Sequence, residues 1–266
     1  MGSKLAISKG MRRGLTCGAF GVLAVLLVSH LAAIAAVSEA ARPQVLERFF
    51  AGDKASPSYR ALRHLEARNE QFQTTAWMDV WTEADASGFR YQVVSQSGSG
   101  YIRSRVFTAA LEAERRISAT GTAHLVAITP DNYLFDDRGA EPSGLAWVGL
   151  TPRRKDLMLV QGSIFLRPED GDLVRIQGSL AKPPSFWIRQ VDIDRRYERI
   201  GGVRMPVSLQ AVARVLVAGK STFTVTYQYE TVNGLHLGSP VPRPSSSVDG
   251  PQPVVDSSQL TFDIPH

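Results

Sequence analysis

The chain has 266 residues, 44% of them hydrophobic and 21% charged, with 22 Gly and 15 Pro. This is the composition of a folded globular protein and excludes a disordered, collagenous or coiled-coil chain. Lys and Arg number 30 against 25 Asp and Glu, but Lys4, Lys9, Arg12 and Arg13 fall in the first 40 residues with Glu39 alone, leaving 26 against 24 beyond them. A body so close to neutral lacks the clustered positive stripe of a nucleic-acid binder, and no nucleic acid is expected as a partner. The single cysteine, Cys17, lies in the same leading segment, so the rest of the chain has no disulfide, thiolate nucleophile or cysteine metal site.

In chain order the first feature is an address. Four basic residues precede an uncharged run from Gly14 to Val37, followed by small residues (Ala33-Ile34-Ala35 or Ser38-Glu39-Ala40) that suit a signal peptidase. Residues 1–40 are therefore expected to be an export signal. The alternative is a retained amino-terminal anchor, because about 20 apolar residues span a bilayer core. In both cases the positive flank stays in the cytoplasm and the rest crosses.

Two helices are expected to open the exported part. Pro43 to Phe50 carries Val45, Leu46, Phe49 and Phe50 on one side, and Ser58 to Gln71 has a serine cap followed by Tyr59, Leu62 and Leu65 at helical spacing. The period then changes. Strands are expected over Phe72–Glu83, Phe89–Ser97, Thr122–Thr129, Asn132–Asp136, Leu145–Leu150, Leu157–Arg167, Leu173–Leu180, Phe186–Arg196, Arg204–Val217 and Ser221–Thr231. Between them stand turn formers such as Asp85-Ala86-Ser87-Gly88, Pro168-Glu169-Asp170-Gly171 and Gly201-Gly202. One further helix, Ser104 to Ser118, interrupts the series with a stripe of Val106, Phe107, Ala110, Leu111 and Ile117. From Gly238 to Ser258 there are five Pro, six Ser and two Gly, the composition of a tail; Gln259 to Ile264 is a weak candidate for an edge strand. The expected division is 1–40 leader, 41–237 one folded domain and 238–266 a mostly disordered tail.

About ten strands joined by short turns imply antiparallel neighbours and exclude a parallel nucleotide-binding sheet. Phe223, Val225, Tyr227 and Tyr229 alternate with Thr222, Thr224, Thr226 and Gln228, giving one wet face, whereas Leu157 to Leu166 is apolar on both. The expected fold is α+β and mostly antiparallel, a curved half-barrel of ten to eleven strands with about three covering helices. Three helices leave apolar sheet that they cannot hide.

Chemistry-bearing motifs are sparse. His64, His124, His236 and His266 show no paired metal-ligand spacing. The acidic groups Asp79/Glu83/Asp85 and Asp131/Asp136/Asp137 lack the alternating pattern of a calcium loop. No metal or cofactor is expected. Ser179-Leu180-Ala181-Lys182 fits S-x-x-K, but the serine ends an expected strand and neither S-D-N nor K-T-G follows. Gly98-Ser99-Gly100 falls short of a nucleophile elbow because residue 97 is Ser. The chain reads as a non-enzyme.

The large apolar side chains suit a cavity for acyl chains, and equally a packed core. Trp77 and Trp81 share a face of the first expected strand, opposite Ala76, Met78 and Val80, and Trp187 lies in a Pro-Ser-Phe-Trp segment. Candidate cavity residues are Trp77, Trp81, Tyr91, Val93, Phe165, Trp187, Val191 and Tyr227. Arg153-Arg154-Lys155 is the candidate contact with anionic headgroups or a membrane surface; such turns also keep sheet edges soluble.

An export signal, an opening helix (Ala61-Leu62-Arg63) leading into a first strand ending at Trp81, and a long antiparallel meander with one inserted helix resemble the periplasmic lipoprotein-carrier superfamily of LolA, LolB, LppX and the amino-terminal domain of RseB. The stretches Arg153-Arg154-Lys155-Asp156, Gly171-Asp172-Leu173-Val174-Arg175-Ile176, Pro184-Ser185-Phe186-Trp187, Arg195-Arg196-Tyr197 and Tyr229-Glu230-Thr231-Val232-Asn233-Gly234 are similar to exported proteins described as outer-membrane lipoprotein-sorting-like. The resemblance covers about residues 58–235 and implies an incomplete barrel whose concave face holds acyl chains without covalent chemistry. Its expected partner is a lipid or acylated protein, with a membrane surface or envelope protein as a second contact. The Pro/Ser tail departs from those carriers, and no lid arginine is assigned. The rival expectation is an envelope sensor or scaffold that uses the same fold to touch another protein; a hydrolase of envelope polymers would need a paired acid and base that the strand map does not supply.

Overall fold

The structure is a computed structural model that describes residues 44–52, 57–186 and 188–242. The expected leader, most of the expected tail, the candidate strand Gln259–Ile264 and Trp187 lie outside the described residues. No helix among the described residues is long and apolar enough to cross a membrane.

Residues 44–51 form helix α1, with Val45 and Phe49 buried on one side at the spacing that puts two side chains on one helical face. The strands are β1 (Tyr59–Asn69), β2 (Thr74–Asp85), β3 (Gly88–Gly98), β4 (Tyr133–Ala140), β5 (Ala146–Pro152), β6 (Val160–Leu166), β7 (Leu173–Leu180), β8 (Ile188–Ile200), β9 (Val203–Val215), β10 (Gly219–Val232) and the short β11 (Leu235–His236). Between β3 and β4 runs one continuous helix, α2, made of an α-helical turn Gly100–Ile102, a π-helical stretch Arg103–Thr108 and an α-helix Ala109–Thr120. Gly121, left-handed at φ 64°, ends it, the usual use of glycine past a helix terminus.

All strands belong to one antiparallel sheet in the order β3-β2-β1-β10-β9-β8-β7-β6-β5-β4, with β11 paired to β10. The sheet stays open, with β3 and β4 at its two edges. It is an α+β half-barrel. The pairing of β1 with β10 joins the first hairpins to the later meander. The β3–β4 connection must therefore travel from one edge of the sheet to the other, and it does so across the face that carries the helices.

Two expectations fail. The span Ser58–Gln71 holds strand β1 (Tyr59–Asn69), not a helix, so among the described residues two helices cover the sheet where three were expected. Its residues favour helix intrinsically, but pairing with β2 on one side and β10 on the other buries Ala61, Arg63, Leu65 and Ala67 at a period of two, and this tertiary gain outweighs propensity. Thr122–Thr129 is a 3-10 turn (Thr122–Leu125) followed by bends, not a strand. Asn132 fixes it by donating from Nδ2 to the carbonyls of His124 (2.9 Å) and Ala127 (2.8 Å), and Val126 and Ile128 pack against the core beside α1.

Candidate functional site

Strand register assigns each side chain to a face, since neighbours directly opposite one another point the same way. One inner row crosses eight strands: Met78, Leu65, Val225, Leu209, Arg195, Ile176, Ile164 and Val148. The row beside it contains Ala67, Phe223, Ala211, Ile193, Gly178 and Gly162. Arg195 is the one charged residue in either row short of the β4 edge, where the first row ends on exposed Asp137. The matching outer rows are polar: Asp79 stands beside His64, Thr226, Ser208 and Arg196, and Glu66 beside Thr224, Gln210, Asp194 and Gln177.

The helices cover the inner face at its two ends. Under α2, Phe107 is fully buried and stacks on Phe223 at 5.8 Å, while Ile102 and Leu111 close over Leu65, Met78 and Val80. Under α1, Val45 and Phe49 pack with Leu150, Ile164, Leu166 and Ile176. These are separate clusters. A third cluster gathers Ala61, Met205, Tyr229 and Val232. Outside all three, Val191, Ile193, Ala211 and Ala213 of β8 and β9 are only half-buried. The result is an apolar trough along the middle strands.

Gly162 and Gly178 face each other on the inner side of β6 and β7. A Cβ on Gly178 would meet the Gln161 carbonyl oxygen at 2.3 Å, and one on Gly162 the Gln177 oxygen at 2.1 Å. Paired strand glycines of this kind permit a close bend, next to the trough.

Arginine braces α2 to the sheet. Buried Arg63 on β1 donates to both carboxylate oxygens of Glu114 on α2 (2.6 and 3.0 Å) and to the Tyr59 hydroxyl (2.6 Å). Its guanidinium also lies 4.8 Å from the Tyr227 ring centre. Burial pushes the Tyr59 phenol up to about 12, against the opposing pull of Arg63. At the other end, buried Asp172 accepts from Arg199 Nε (2.7 Å) and Nη2 (2.6 Å), with Arg204 at 3.5 Å.

The structure divides the candidate residues between the faces. Tyr91, Val93, Val191 and Tyr227 are on the inner face. Tyr91 donates to Glu112 of α2 at 2.6 Å, a bond that pushes the phenol up and the carboxyl down. Val93 is exposed near the β3 edge, Val191 is in the trough and Tyr227 stacks on Tyr229 at 6.2 Å. Trp77, Trp81 and Phe165 are on the outer face. Trp77 neighbours His64 at 6.0 Å, Trp81 lies 4.5 Å under the Arg60 guanidinium and Phe165 stacks on Trp147 at 6.4 Å. The smaller Ala76, Met78 and Val80 take the inner side of β2, where α2 packs closely.

Arg153 and Arg154 are structural braces at the β5–β6 loop. Arg153 Nε donates to the Pro130 carbonyl at 2.7 Å, and Arg154 donates to Asn132 Oδ1 at 2.6 Å and to the Leu125 carbonyl. Lys155 is exposed, next to exposed Leu157 and Met158. Ser179 is bonded on the outer face to Asp192 (2.6 Å), away from any helix start. A shallow depression of about 290 Å3 lies there too, lined by Gln177, Ser179, Asp192, Asp194, Gln210 and Val212 among others. Among the described residues no three His, Cys, Asp or Glu side chains converge as a metal set. Sequence reasoning missed Arg63, which was hidden in an expected helix, and met Arg195 only as part of the basic stretch Arg195-Arg196-Tyr197, because nothing local tells an inward strand arginine from an outward one.

No family model matches the chain, and no curated protein matches it in sequence. Solved structures similar to it include a LolA superfamily protein from Nitrosomonas europaea, 10% identical over 74% of this chain and 94% of that one, with a TM-score of 0.37. A DUF1329 family protein from Desulfovibrio piger is 12% identical over 72% of this chain and 91% of that one, with a TM-score of 0.31.

Proposed function

We propose that this is an exported, non-enzymatic binding protein that shelters a lipid or the acyl chain of a modified protein in the inner trough. The observation that carries the reading is the half-buried apolar strip of Val191, Ile193, Ala211 and Ala213, which belongs to none of the separately packed cores under α1 and α2. A guest chain laid on that strip would gain about 0.8 kcal/mol for each methylene removed from water, so ten enclosed methylenes supply substantial affinity. The leader supports export to the cell envelope.

A second feature supports work at a lipid surface. In an antiparallel sheet alternate turns fall on one rim, and here that rim carries Phe72, Tyr101, Leu157, Phe186, Leu216 and Val217, all exposed. Lys155 and Lys182, also exposed, share it. Apolar tips with nearby bases suit contact with anionic headgroups, and a carrier needs such a face to load or unload.

Mass spectrometry of organic extracts of the purified full chain tests the reading. Co-purifying lipid at near-stoichiometric amount is expected. Repeated absence of lipid, together with recovery of one crosslinked envelope protein on the apolar rim, would overturn it in favour of a sensor or scaffold.

A further inference from the structure

Charge is rare on the inner face, and most of it is matched. Arg63 is held by Glu114 and the Tyr59 hydroxyl, and Glu112 by Tyr91 and Arg115. Arg195 differs. It stands at mid-trough, with Leu65, Val225 and Leu209 on one side of its row and Ile176 and Ile164 on the other. Its neighbour Asp194 points to the outer face and is taken by Arg175. Among the described residues no carboxylate forms an ion pair with Arg195: Glu114 attracts it only at longer range and gives both oxygens to Arg63. The Arg195 Nε is closed off from solvent without a hydrogen-bond partner. Its one described aromatic contact is the Tyr197 ring, 5.3 Å from the guanidinium. Burial pushes that phenol up, against the pull of Arg195, so Tyr197 is neutral at ordinary pH and supplies no counter-charge.

A half-buried cation without a directly bonded counter-ion destabilises the chain that carries it. A guanidinium fork, in turn, matches the geometry of an oxyanion. We propose that Arg195 is the receptor for the singly charged oxyanion head of an amphiphile, a carboxylate or phosphodiester, whose tail lies along Ile193 and Val191 against Ala211 and Ala213. From residue 195 to 191 the strand rises about 13 Å, so the head is anchored while the tail follows the trough. This rests on the trough being a lipid site. It adds the sign of the charge and the residue that reads it.

The test is displacement of the neutral fluorophore N-phenyl-1-naphthylamine from the full chain by palmitate, by lysophosphatidylglycerol and by uncharged monopalmitoylglycerol. Arg195→Met is expected to weaken at least one of the two anionic ligands by on the order of tenfold or more and to leave the uncharged ligand unchanged. Arg195→Lys, which keeps the charge but loses the fork, is expected to fall between. Whichever anionic ligand loses more identifies the head as carboxylate or phosphodiester. As a readout without ligand, Arg195→Met is expected to raise the thermal midpoint of the empty protein. Equal weakening of charged and uncharged ligands, or a fall in that midpoint, would make Arg195 a packing residue and overturn the inference while leaving the lipid reading intact. If wild-type protein takes up neither fluorophore nor any of the three lipids, the lipid reading itself fails.

Discussion

The Arg63 guanidinium is the contact on which the seating of α2 depends most. A cation this buried is tolerable because Glu114 meets it with both oxygens, and removing the partner of a buried charge costs more than the pair itself contributes. Glu114 is itself 43% exposed, which reduces the effect. Glu114→Gln is expected to destabilise by about 2 kcal/mol in urea denaturation, and Arg63→Met combined with Glu114→Gln to recover part of that loss. A single substitution without effect would mean that solvent already screens the pair. The tyrosines provide a pH test at the same scale. Burial pushes the phenols of Tyr59, Tyr133, Tyr197 and Tyr229 up, so above pH of about 10 the unfolded chain has shed protons that the folded chain still holds. Stability is therefore full below that pH and falls as pH rises toward about 12, where Tyr59 ionises. Ultraviolet titration of phenolate should show a late group that ionises with unfolding; a single transition at the ordinary value for all seven tyrosines would contradict this.

Elements were unevenly legible. Strands β2 to β10 announce themselves through alternation and through turns such as Gly201-Gly202, because a half-buried sheet imposes a period of two on the sequence. Strand β1 does not: Arg60, Ala61, Leu62, Leu65 and Glu66 are good helix formers, and only their partners in β2 and β10 show that they pair. Helix α1 was legible as an amphipathic turn, but its seat was not. A Cβ on Gly171, at φ 72°, would meet the Phe49 nitrogen at 2.7 Å and the Val45 oxygen at 2.9 Å, and Arg48 donates to the carbonyls of Pro168 (2.9 Å) and Glu169 (3.2 Å). The helix thus rests directly on the β6–β7 turn. Gly171→Val is expected to unseat it, so that trypsin cuts after Arg48 markedly faster while the strands stay protected in hydrogen exchange. Unchanged protection at Arg48 would show that α1 is held by its apolar side alone.

At the scale of the whole molecule, the open antiparallel sheet was legible but its inside and outside were not. By size alone Trp77 and Trp81 are natural cavity candidates. The inner side of β2, however, is where α2 packs, so smaller residues are needed there and the tryptophans go outward to Arg60 and His64. Which face is inner depends on where a helix two elements further along the chain returns, and local pattern does not carry that. The trough is a product of the same topology: α1 and α2 cover the two halves of a sheet whose chain crosses from edge to edge, and β8 and β9 are left between them. Paramagnetic broadening of backbone and methyl resonances by bound doxyl-labelled stearate tests the resulting claim most directly. The account predicts selective loss of signal at Val191, Ile193, Ala211 and Ala213; broadening confined to the Trp77 and Trp81 indoles, or spread evenly over the surface, would contradict it.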